Sequence, residues 1–237
     1  IVRRCETGGL VNIQATNAPH MLFSEDNVVA KFNHNKSQWG LFYNLSARNF
    51  KKTYTDIDET YVLENKTIHR VQEGLHDQNK HFTHNIDLSY NLTEQDKYVF
   101  NVVFRNSVYD APCLNQSNKL YDAADADNYI FSRLKNKQSS YTPSLDLYYQ
   151  RTLPKNQMLT MSVTGTLMHT DNNRLYHEYT PQAEDLAMIE TDVTGNKRSI
   201  IGEAIYDKRF KFLVFSAGLR HYQMYARNEY AGSSPVV

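Results

Sequence analysis

No apolar run in this 237-residue chain approaches the ~20 residues a membrane-spanning helix requires, which excludes a helical membrane protein. Mean hydropathy is clearly negative, at −0.62. Charge of one sign is lacking too: 26 Lys and Arg balance 26 Asp and Glu. A neutral chain offers no electrostatic case for nucleic acid. The two cysteines, Cys5 and Cys113, lie far apart and match no metal or redox spacing, so they read as unpaired thiols. No serine nucleophile elbow, phosphate loop or zinc motif occurs, so no enzyme and no cofactor is expected. Glycine (9) and proline (6) are scarce, whereas tyrosine (17) is abundant, as is asparagine. That balance suits strands with aromatic ends and polar connections.

What the chain does have is a recurring strand-turn-strand unit. Four copies follow one another at roughly 55–60 residues, each a pair of alternating strands around a tight polar turn. The first joins 27–33 to 39–50 through a turn at 35–37. The second joins 82–92 to 98–108 through 93–96. The third joins 144–153 to 158–170 through 154–156. The fourth joins 200–207 to 212–225 through Lys208 and Arg209. Long polar, tyrosine-rich connections at 51–80, 110–140 and 171–197 separate the units. Parts of them, such as 54–63 and 186–193, read as hairpin extensions of the strands.

A period of two sorts each strand into two faces. One carries Leu41, Leu88, Phe100, Leu147, Met161 and Phe215. The other carries Asn44, Arg48, Asp87, Arg105, Asp146, Thr164, Glu203 and Arg220. A soluble sheet with one solvated face alternates in the same way. Strand lengths of ~10–14 residues, short turns on one side only and aromatics near the strand ends favour an outer-membrane β-barrel wall. The first set then faces lipid and the second faces the lumen. His221 is expected on the lipid side near the outer rim. The expected fold is all-β: an antiparallel up-and-down meander of about eight strands, part of a larger barrel. Unpaired edges are expected at 27–33 and 212–225.

Nine histidines raise the question of a metal. His69 and His76 precede a strand that begins with His81 and His84. Residues three apart on a strand point to opposite faces, so His81 and His84 cannot ligate from one side. Asp122, Asp125 and Asp127 lack the glycine and closing glutamate of a calcium loop. Solvated loop residues are the reading for both groups, and no metal site is assigned.

Gly8-Gly9-Leu10-Val11-Asn12-Ile13-Gln14-Ala15 resembles the end of the plug domain in TonB-dependent outer-membrane receptors. There a glycine-rich turn leads into an apolar-Asn-Ile strand just before the first barrel strand; here Ala15-Thr16 replaces the more usual Thr-Lys. The Leu-Thr-Glu-Gln-Asp-Lys turn followed by Tyr-Val-Phe-Asn-Val is similar to barrels of Bacteroidetes-type members. The resemblance implies residues 1–20 as the end of a plug and 21–237 as partial barrel, with 22 strands in the whole. It further implies a bacterial outer-membrane location, lipid and the TonB complex as partners, and uptake of a scarce small ligand such as a siderophore chelate or an oligosaccharide. The chain begins at Ile1 without a leader and ends in a Gly-Ser-Ser-Pro stretch, and so reads as an internal piece of a longer protein. A non-transporting structural or adhesive barrel, and a soluble glycan-binding β-protein, remain the alternatives.

Overall fold

The computed structural model describes residues 7–63 and 66–233 as one antiparallel sheet of eleven strands. The strands are β1 (Thr7–Ala18), β2 (Phe23–His34), β3 (Ser37–Thr53), β4 (Ile57–Leu63), β5 (Lys66–Leu75), β6 (Asp77–Glu94), β7 (Tyr98–Asp122), β8 (Asp125–Leu153), β9 (Gln157–Tyr179), β10 (Asp185–Arg209) and β11 (Val214–Gly232). The main path runs β1-β2-β3-β6-β7-β8-β9-β10-β11, nearest neighbours throughout. The β4–β5 hairpin stands above it, β5 pairing with the upper half of β7. The only helical turn among the described residues is a 3-10 turn at Pro19–Met21. Cys5 lies outside the described residues.

The sheet is open. Among the described residues β1 pairs only with β2 and β11 only with β10. The eight strands of the four sequence units are all present, but the first edge is not at 27–33. Residues Thr7–Ala18 pair along the whole of β2 and become the edge themselves. Alternation explains this. Val11 and Ile13 fall opposite Ala30 and Val28, while Gln14 falls opposite Asn27, so β1 extends both faces in register.

The tight turns use residues that tolerate a left-handed backbone. Asn35, Asp96 and Asn156 have positive φ, as does Lys155. The fourth turn departs from the expectation at Lys208 and Arg209. The ladder continues through Lys208↔Phe215 and Arg209↔Val214, and the chain reverses at 210–213, where the Phe210 amide donates to the Leu213 carbonyl at 2.8 Å.

The long connections are mostly strand rather than loop. β7, β8, β9 and β10 are 25, 29, 23 and 25 residues long and climb well past the expected wall. At that height β-bulges interrupt two strands, one after Phe50 in β3 and one over 110–114 in β7, the latter shifting the register against both β6 and β8. Each bulge adds a residue on one strand and bends it.

There is almost no core. Among the described residues Ala111 and Leu120 are the buried hydrophobic ones, and both lie in the upper half of β7. The accessible surface is 16810 Å². A compact monomer of this mass would expose about 11,000 Å². The sheet is therefore a single layer with two exposed faces.

Candidate functional site: the polar face

Register assigns every strand residue to a face, because directly paired residues share one. Leu41 pairs with Leu88, and Leu88 with Phe104, four residues along β7 from Phe100. Phe100 pairs with Tyr149, Leu147 with Val163, and Tyr149 with Met161. Met161 pairs with Ala204, whose face carries Lys208, the partner of Phe215. All six residues singled out as the apolar set therefore share one face. The polar set shares the other. Asn44 pairs with Asn85, Asp87 with Arg105, Asp146 with Thr164, and Glu203 with Arg220; Arg48 follows Asn44 at even spacing. His221 is on the apolar face as expected, but not at a rim. It pairs with Gly202, itself opposite Val163, and so sits mid-band in the row of Leu147.

The polar face is built from cross-strand pairs. Arg105 binds Asp146 through a terminal guanidinium nitrogen and approaches Asp87 with Nε at 3.9 Å. One cation thus bridges β6, β7 and β8. Beside it runs an amide ladder: Asn44 Nδ2 donates to Asn27 Oδ1 (2.8 Å), Asn85 Nδ2 to Asn44 Oδ1 (3.2 Å), and Ser107 Oγ to Asn85 Oδ1 (2.7 Å). Higher up, Arg48 contacts Glu25 at 3.6 Å and stacks on Phe23 at 4.6 Å. The face is not uniformly polar. Phe42, Val103, Ile201 and Ile205 interrupt it, paired with Asp87, Asp146, Thr164 and Thr160.

Above the bulges the same face opens into a groove of about 280 Å³ lined by Thr53, Asp77, Asn79, Leu114, Ser117 and Asn136, among others. Asp77 Oδ1 accepts from Ser117 Oγ at 3.2 Å. Asp77 Oδ2 and Asn136 Oδ1 are buried and have no donor. Two unmatched acceptors suit a ligand that brings hydroxyl or amine hydrogens. Close by, the Tyr176 hydroxyl donates to Glu178, and burial together with that carboxylate pushes the phenol up to about 12. The Arg70 charge on β5 draws it the other way.

Sequence reasoning missed these upper residues. It also missed the aromatic shelf on the opposite face, where Lys119 lies 4.8 and 4.5 Å from the Tyr121 and Tyr129 rings and Phe131 stacks on Tyr179 at 5.4 Å. Each belongs to a segment read as loop. The signal was the period-two spacing of Lys119 with Tyr121 and of Tyr129 with Phe131. His81 and His84 fall on opposite faces, pairing with Arg48 and Leu45. Among the described residues no three His, Cys, Asp or Glu converge as a metal-ligand set. Asp122 and Asp125 pair at the tip of the β7–β8 hairpin. Cys113 lies in the β7 bulge, its thiol 3.1 Å from the Gln78 carbonyl. No family model, curated protein or solved structure matches the chain.

Proposed function

We propose that this chain is a stretch of wall from a bacterial outer-membrane barrel of the TonB-dependent transporter kind, with the apolar face toward lipid and the polar face toward the lumen. The observation that carries the reading is the coreless single-layer sheet whose two faces differ along every strand of the main path. Such a layer needs a second phase to cover its apolar side, and a bilayer supplies one without further protein. The short turns gather at one end and the tall hairpins at the other, as periplasmic turns and extracellular loops do. Two open edges fit a segment of a larger wall.

The apolar residues on the polar face support a plugged lumen over a water-filled one. Phe42, Val103, Ile201 and Ile205 would pack against a filling domain. The Gly8–Ala15 segment is consistent with the junction to such a plug, and it joins the sheet edge beside β2. The groove at Asp77 and Asn136 lies at the extracellular mouth in this reading. Its unmatched acceptors favour a hydroxyl-rich ligand, an oligosaccharide over an anionic chelate. In this reading the protein does no covalent chemistry; it captures a ligand and passes it through under TonB control.

Single cysteines in the intact protein, otherwise without cysteine, test the reading. In membranes, a water-soluble maleimide should label positions 44 and 146 and spare positions 88 and 147, which become reactive in detergent-free denaturant. Equal labelling of both sets in membranes would overturn the wall. Ligand uptake that persists without the TonB complex would leave the wall and remove the transporter.

A further inference from the structure

The apolar face is not smooth. A hollow of about 750 Å³ opens among Phe104, Leu145, Leu167 and Ile200. Two features of the strands make it. Gly165, paired with both Leu145 and Ile200, contributes no side chain, and a Cβ placed there would meet nothing within 4 Å. Pro143 has no amide hydrogen, and the β8–β9 register skips Thr142 and Pro143 at this point. The volume falls in the range of built ligand sites.

The upper end of the hollow is cationic. Arg198 lines it, lies 5.5 Å from the Tyr225 ring, and has no carboxylate partner among the described residues. One row higher on the same face are Tyr141, His169 and Asn196, with Arg227 paired to Asn196. His169 is held by Asn196 (2.8 Å) and Asp171 (2.9 Å), and Arg227 contacts Glu229 at 2.9 Å. Arg198 is therefore the cation left uncommitted. It lies nine residues along β10 from Asp207, a rise of roughly 22–25 Å at barrel tilt, which is the height of the apolar band.

We infer that this hollow is a binding site for one net-anionic membrane phospholipid, its acyl chain lying over Gly165 between Leu145 and Ile200 and its phosphate on Arg198. A planar guanidinium at the hydrocarbon boundary matches a phosphate in charge and in donor geometry. Tyr225 stacks on the guanidinium and helps fix its position. The lower hollow around Gly202 has no arginine on its own face: Met161, Leu219 and His221 stand there, and Arg220 belongs to the polar face. The site rests on the membrane reading, and the experiment separates the two.

The intact protein is reconstituted in phosphatidylcholine vesicles containing a few per cent phosphatidylglycerol, with bromine on the acyl chains of one lipid or the other. The native Trp39, remote on β3, reports embedding. A Leu145→Trp variant reports the hollow. The expected result is quenching of Trp39 by both lipids in proportion to their amounts, and several-fold stronger quenching at position 145 by phosphatidylglycerol than its share predicts. Arg198→Gln should bring that excess to parity, and Arg198→Lys should keep part of it, with Trp39 unchanged in both. Proportional quenching at position 145 in the unmodified background, or an excess that survives Arg198→Gln, would overturn the lipid site and leave the wall standing. Unquenched Trp39 would overturn both.

Discussion

Tyr176 shows how one residue reports on the upper sheet. Its phenol is partly buried and hydrogen-bonded to Glu178, and its folded pKa of about 12 lies above the ordinary 10.0. Between those values the folded chain keeps a proton that the unfolded chain has lost. The unfolded state then binds fewer protons, so stability falls as pH rises through that window. Tyr176→Phe should remove that alkaline loss while the chain stays folded at neutral pH. An ultraviolet difference titration should show one phenol with a midpoint near 12 disappearing in the variant. Burial contributes the larger part, so Glu178→Gln should return the midpoint only part of the way.

At the scale of elements, the β4–β5 hairpin depends on one glycine. Gly74 of β5 lies under the backbone of Thr55, and a Cβ there would fall 2.5 Å from the Thr55 nitrogen and 2.7 Å from its oxygen. The Gly74 amide also donates to Asp56 Oδ1 at 2.8 Å. Backbone cannot swing aside as a side chain can, so Gly74→Ala should cost about 1–3 kcal/mol locally. Limited proteolysis should then cut 54–75 faster, while the β8–β9 hairpin keeps its rate. Strands with contrasting faces were legible: Leu159, Met161 and Val163 against Thr160, Ser162 and Thr164 admit one reading. The segment from Asp110 to Ser140 was not, since Asn115, Gln116, Ser117 and Asn118 are polar on both faces and resemble a loop. They form strand because β8 pairs with all four and β5 adds a second ladder at Ser117 and Asn118. The β1 pairing and the turn at 210–213 were hidden for the same reason: both depend on a partner strand.

At the scale of the molecule, the face assignment was legible because it needs only parity. Asp87, Arg105 and Asp146 were placed together without knowing which strand neighboured which. Their bridge by Arg105 needed the register, as did the groove above the bulges and the hollow at Gly165. In the membrane reading, Leu147→Arg and Met161→Arg should each destabilise the intact barrel by ~2–4 kcal/mol near the midplane, measured by reversible urea unfolding in vesicles. Near-neutral effects at both positions would count against lipid contact. The same substitution at Thr164, on the opposite face, should cost less than at either.

A coreless sheet sorted by parity has a reading frame. Losing one residue from the lower half of β9 would turn every later side chain of that strand over, sending Thr160 and Ser162 to the apolar side and Met161 and Val163 to the polar one. Losing two residues shortens the strand but keeps the sense of what remains. The bulges after Phe50 in β3 and over 110–114 in β7 mark where the fold already absorbs a slip, above the band where sidedness matters. A deletion scan should therefore alternate along the wall, single losses abolishing assembly and double losses sparing it, and the alternation should fade beyond the bulge line.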